Sequence, residues 1–185
     1  MTSLTTKSVA ELASLPCLEL LSYFRTIADI EQRRSVTAAV YARLKATWQK
    51  DERWDGMARH LVEDVHPMFR EGFAQLRAAC SVPEQVPEPL SPNVVRMFQQ
   101  INIGLHHHHT LEDRMWFPRF IRLHREMENE VHILEQDHRG LVALEARILE
   151  RDSAALVEFY ESLVDHLNRE EMITVPFLME GSGGL

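Results

Sequence analysis

The sequence predicts an all-α protein, an antiparallel four-helix bundle with an additional N-terminal helical segment. Glycine is rare ahead of the C-terminus, and strand-like alternation of apolar and polar residues is absent. Four long segments instead repeat apolar residues at three- and four-residue steps, which puts one apolar stripe on each helix. Four such stripes are buried together when the helices pack antiparallel. With 185 residues, 45% of them in the hydrophobic set, the chain is long enough for one domain with a real core.

Taken in order, helices are expected over residues 10–24, 29–49, 53–80, 92–117, 121–150 and 154–178. The segment SYFRTIADIEQRRSVTAAVYARLKATW reads as one long or two short amphipathic helices, either a lid over one end of the bundle or a homodimer surface. The 53–80 helix carries the stripe Val62, His66, Phe69, Phe73, Leu76. Pro67 within it marks a kink or a true helix start. The four prolines of SVPEQVPEPLSPN, residues 81–93, break the chain. The next stripe is Phe98, Ile101, Leu105, His108, Glu112, Met115, and the one after it is Val131, Leu134, His138, Leu141. At ERDSAA, residues 150–155, Asp152 or Ser153 can cap the last helix. That helix shows Phe159, Leu163, His166, Glu170, Ile173, Phe177, and a loose GSGGL tail follows it. The expected organisation is an N-terminal helical extension, 1–57, and a bundle, 58–180.

Charge and composition narrow the function. The net charge is −8 and the basic residues are scattered, which argues against a nucleic-acid groove. No apolar run is long enough to span a bilayer, so no membrane partner is expected. The first residues lack a signal-peptide core. Cys17 and Cys80 form no CxxC and no disulfide framework, which fits a reducing, cytoplasmic setting.

Every bundle stripe contains a histidine, and two of these histidines are followed by glutamate. HHTLEDRMWFP from His108 and HLNREEMITVP from His166 share a unit: His, Glu four residues on, Pro ten residues on. An i, i+4 pair lies on one face of a helix, so each pair can bind one metal centre. A glutamate in an apolar stripe is costly unless paired or metal-bound, and two carboxylates call for cations. Mixed His and Glu ligands suit iron, manganese or zinc. Four histidines with Glu112 and Glu170 exceed one tetrahedral zinc site. They could hold two metals about 3.5–4 Å apart.

Of the run His106–His109, His108 is in register with the stripe and is taken as the ligand. His107 and His109 point roughly 100° to either side and read as outer or solvent-facing. Asp113 and Glu171 follow the motif glutamates and read as solvated. Trp116 and Phe117 read as packing. His60 stands off the face of His66. The pair His124 and Glu128 reads as a solvated helical pair, and His132 as a surface residue.

These residues resemble the hemerythrin-like, or HHE cation-binding, family over about residues 58–178. The family pattern maps to His66, then His108 and Glu112, then His138, then His166 and Glu170, with Phe117–Pro118 and Val175–Pro176 closing the two motifs. The resemblance implies a bundle around two Fe ions, oxo- or hydroxo-bridged, with iron ahead of manganese or zinc. It implies that both glutamates bridge and the histidines cap. HPMFREGFAQL, from His66, also resembles the first-helix segment of di-iron proteins linked to repair of iron–sulfur clusters, but residues 1–57 lack the paired cysteines many of those carry. Oxygen-carrying members have two histidines one turn apart on the third bundle helix. Here the turns on either side of His138 offer Leu134 and Val142. One iron is therefore expected to be more open, with water or a tyrosine in the gap. That favours reaction with a small diatomic or peroxide ligand (oxygen, nitric oxide or peroxide) over oxygen carriage. The alternatives are an oxygen or nitric oxide binding or iron-handling sensor without turnover, and a structural helical interaction protein.

Overall fold

The computed structural model describes residues 7–54, 56–80 and 89–181, the backbone alone at 79 and 80. Most of the proline-rich break, residues 81–88, and the tail from 182 lie outside the described residues. The described chain is all-α. Helices α1 (Val9–Leu12), α2 (Cys17–Arg25) and α3 (Ile30–Trp48) precede the bundle. Its first helix runs from α4 (Gly56–His60) into α5 (His66–Cys80), and its second from α6 (Pro92–Leu111) into α7 (Phe117–Leu123). The third and fourth are α8 (Glu128–Leu149) and α9 (Ser153–Met179). No helix among the described residues is long and apolar enough to cross a membrane.

Local chemistry sets the boundaries. Pro16 divides the helix expected over 10–24, because the residue before a proline avoids the α region. Asp29 caps α3 through the Gln32 amide, Ser91 caps α6 through Val94, and Asp152 caps α9 through Ala155. The expected helix 121–150 is broken in two. His124 leaves helical geometry (φ −132°, ψ 69°), and a 3₁₀ turn, Arg125–Met127, leads into α8. His124 and Glu128 are therefore not a solvated pair on one helix: the His124 ring packs on Phe120 and Phe177, 4.9 and 4.1 Å between centroids.

The first and second bundle helices, which contain Pro67 and Pro118, each continue through a widened turn. The His66 amide donates to the Leu61 carbonyl, and the Phe117 amide to Glu112, each five residues back instead of four. Pro67 and Pro118 follow those turns by the same step. A proline has no N–H to donate and its ring crowds the carbonyl four residues back. The extra residue in the turn accommodates both defects without ending the helix.

The core has two apolar clusters with a polar layer between them. One contains Val62, Trp116, Phe117, Leu134 and Ile173. The other contains Phe69, Phe73, Phe98, Leu105, Leu141, Phe159 and Leu163. Along α5 the chain passes from the first cluster through His66 to the second. Along α6 it returns through His108, His109 and Glu112. It crosses again on α8 through His138 and returns on α9 through His166 and Glu170. The alternation is the antiparallel up-down order expected for the bundle.

Helix α3 runs beside α9. Arg34 pairs with Glu161 at 2.9 Å near one end, and the Tyr41 hydroxyl donates to Glu171 further along. Thr37, Val40 and Trp48 are buried on the same helix. This contact explains why α9 is buried almost all round from Leu167 to Val175.

Candidate metal centre

Four helices deliver seven titratable side chains to the polar layer. His66 and His166 are wholly buried, and so is Glu170; Glu112 is 2% and His138 4% exposed. His108 is half-buried and His109 buried. The stripe on α6 runs Phe98, Asn102, Leu105, His109, Glu112, Trp116 rather than through Ile101, His108 and Met115, of which Met115 is exposed. From Leu105 a helix can step three or four residues inward, so His108 and His109 straddle the face. Both reach the layer.

Three histidines are oriented by carboxylates outside the layer. His66 Nδ1 lies 2.9 Å from Glu171 Oε1, His138 Nδ1 2.8 Å from Asp113 Oδ1, and His166 Nδ1 3.3 Å from Asp137 Oδ2. A proton on each Nδ1 donates outward and leaves Nε2 with a lone pair facing in. His138 Nε2 and His166 Nε2 stand 3.2 Å apart, as do His66 Nε2 and His108 Nε2. Burial, reinforced by the rings of His66 and His138, pushes His108 down to about 3. Burial also lowers His109, His138 and His166. Neutral imidazoles with converging lone pairs repel one another unless a cation sits between them.

The carboxylates make the same point. Burial, then the charge of Glu170, holds Glu112 well above the usual carboxyl range, and burial raises Glu170. All four of their oxygens are buried and accept no hydrogen bond among the described residues. His108 Nε2 is 3.0 Å from Glu112 Oε1, yet it is not aligned as a donor. Buried acceptors left without a donor cost about 1–3 kcal/mol each.

Two groups of ligand atoms satisfy metal spacing, with each group's members within 4.8 Å of one another. One is His66, His108, Glu112 and Glu170; the other is His109, Glu112, His138 and His166. Glu112 belongs to both groups and Glu170 to one. The orphaned oxygens, the inward lone pairs and the N/O donor set together fit a pair of cations.

Compared with known protein families, residues 57–178 match Hemerythrin, the hemerythrin HHE cation binding domain. The chain belongs to this family. No curated protein and no solved structure matches it. The match begins after α3, so the N-terminal helices lie outside it. Within the hemerythrin-like bundle the cluster is able to coordinate two metal ions.

The site departs from the sequence reading in three places. His109 is not an outer residue: it is 8% exposed, stacked on His138 at 3.8 Å, and a member of the second group. The shared three- and four-residue spacing of His109 and His108 to Glu112 was the available signal. His109 also occupies the gap expected beside His138, where Leu134 is core and Val142 is exposed. Glu171 is not solvated but fully buried, because α3 covers that side of α9. It accepts from His66, from Arg70 Nη2 at 2.6 Å and from Tyr41. Burial works to raise Glu171, and these donors outweigh it and hold it below the ordinary value. Asp113 is exposed as expected, yet it holds His138. His66, His138, His166, Glu112 and Glu170 are buried in the layer. His60 and His132 are exposed, and Trp116 and Phe117 pack in the core.

These positions give a first prediction. His109→Ala removes one member of the second group and leaves the first intact, so metal content measured by elemental analysis falls by about half. His107→Ala, at an exposed position two residues earlier, leaves metal content unchanged.

Proposed function

We propose that this chain is a non-haem di-iron protein that binds and reacts with a small oxidant: oxygen, nitric oxide or peroxide. His66, His108, Glu112 and Glu170 would hold one ion, and His109, Glu112, His138 and His166 the other. The observation that carries this reading is Glu112, common to two four-donor groups whose carboxylate oxygens have no hydrogen-bond donor. Iron is taken over manganese or zinc because the hemerythrin likeness implies it; the donor types alone suit all three. Such a pair supplies redox chemistry and a position for an exogenous ligand.

The chain's own part is to position, neutralise and exclude. Glu112 and Glu170 bring to the layer two carboxylates whose negative charge would neutralise the ions. Glu171, Asp113 and Asp137 fix three imidazoles with their Nε2 atoms inward, which sets ring orientation and ligand basicity. Phe69, Leu105 and Leu163 close one side of the layer, and Phe117 and Ile173 the other. A crevice beside His109, bounded by Asn102, His106 and Glu145, has a volume of only about 10 Å³. That is room for about one water-sized molecule.

A second reading, reversible binding or sensing without turnover, is favoured by His109. It fills the position whose vacancy argued for redox reaction over carriage. Ferrous-loaded protein mixed anaerobically with peroxide, nitric oxide or oxygen separates the two. Consumption of many equivalents of peroxide supports the oxidant reaction. A reversible, stoichiometric spectral change without consumption supports binding alone. No spectral change with any of the three would overturn both.

A further inference from the structure

We propose that Tyr41 on α3, outside the residues that match the family, is a positioning residue of the metal centre. It would act through Glu171 on His66. This inference rests on the two-metal reading above.

Glu171 is fully buried, and its two oxygens are divided between two tasks. Oε1 accepts from His66 Nδ1 at 2.9 Å and from Arg70 Nη2 at 2.6 Å. Oε2 accepts from the Tyr41 hydroxyl. Arg70 is itself fixed: Nη1 donates to Asn168 Oδ1 at 3.0 Å, and the guanidinium lies 5.3 Å from the Tyr41 ring centroid. Tyr41 packs edge-on to Trp48, about two turns later, at 6.4 Å. The carboxylate thus has three donors from two helices, Tyr41 from α3 and His66 and Arg70 from α5, and Arg70 is in turn tethered to α9 through Asn168.

A carboxylate rotates about its last torsion unless both oxygens are held. With Oε2 pinned by Tyr41, Oε1 stays on His66 Nδ1, and the Nε2 lone pair stays aimed at the His66, His108, Glu112, Glu170 group. The hydroxyl also tempers the negative charge of Glu171, and so the basicity it confers on the imidazole. A helix that is not part of the bundle would in this way tune one of the two ions. The second group is held differently: Asp113 and Asp137 make no hydrogen bond to Tyr41, and Asp137 pairs with Arg169 at 2.8 Å and lies within the field of Arg33 on α3.

The test uses cobalt(II), whose visible absorption reports ligand geometry, titrated into the full metal-free chain. Tyr41→Phe removes one oxygen and keeps the ring packing. It is expected to weaken one of two cobalt events by ~10-fold or more, within the usual range for loss of an outer partner, and to shift that event's absorption band. Glu171→Gln should weaken the same event, and adding Tyr41→Phe to it should cost little further, because the two act in series. Val40→Ala controls for packing. Val40 is fully buried on α3 beside Tyr41 and belongs to the first apolar cluster, so its truncation should loosen α3 and leave both cobalt affinities alone.

If Tyr41→Phe binds cobalt like the parent chain, or if Val40→Ala weakens it equally, the positioning role is overturned while the two-metal reading stands. If the parent chain binds no cobalt, the two-metal reading fails and takes this inference with it.

Discussion

Glu112→Leu is expected to empty both metal positions and, at the same time, to make the metal-free chain more stable. The first effect follows from membership of both donor groups. Among the described residues no other has that property, so no other single substitution should remove as much metal. The second effect follows from what Glu112 does without metal. It is 2% exposed, both oxygens lack a donor, and its neutral form is the one that burial and Glu170 favour. An unsatisfied buried carboxyl costs about 1–3 kcal/mol, and leucine has a similar volume without that cost. For a chain of this length, each kcal/mol moves Tm by about 2–4 °C. Differential scanning calorimetry on chelator-treated samples should therefore place the variant several degrees above the parent. Loaded with metal, the order should reverse. An ordinary structural carboxyl would give neither the gain nor the reversal, and a variant that kept its metal would remove Glu112 from the centre.

Stripping metal from the parent chain should have the largest stability effect of any perturbation. An ion held at a free concentration a thousand times its Kd adds about 4 kcal/mol to the folded state. Two such ions, at about 2–4 °C per kcal/mol, separate loaded and chelated samples by more than ~15 °C. The structural reason is the position of the layer. It divides the core into two apolar clusters, and every bundle helix crosses it. Without cations, the layer holds four orphaned carboxylate oxygens and two pairs of ring nitrogens at 3.2 Å. Helix content by circular dichroism should change far less than Tm, because the helices retain their own hydrogen bonds and both apolar clusters. Equal melting of loaded and chelated protein would mean that no cation holds the layer together.

Much of this arrangement is legible in the sequence because it depends on helical period alone. The stripes on α5, α8 and α9 place His66, His138, His166 and Glu170 by counting threes and fours, and the repeated His, Glu, Pro unit singles out Glu112. What counting misses has three physical sources. On α6, steps of three and four are both allowed, so His108 and His109 are equivalent by pattern and only packing shows that both are used. On α9, Glu171 falls off the apolar stripe, which normally means water; α3 covers that side, and no period within α9 encodes a neighbour 130 residues earlier. In the α7–α8 region, His124 leaves helical geometry where the pattern alone suggests continuity. Pro67, read as a kink or a helix start, and Pro118, read as a motif end, both follow widened turns through which the helices continue.

The central claim is that the polar layer is a two-cation centre, and the most direct test is metal content per chain. Protein expressed without added metal and reconstituted anaerobically with ferrous iron would be measured by elemental analysis, with an absorption spectrum of the same sample. Two irons per chain, matching the two donor groups that share Glu112, is the predicted result. A chain that holds no stoichiometric metal after reconstitution would contradict it.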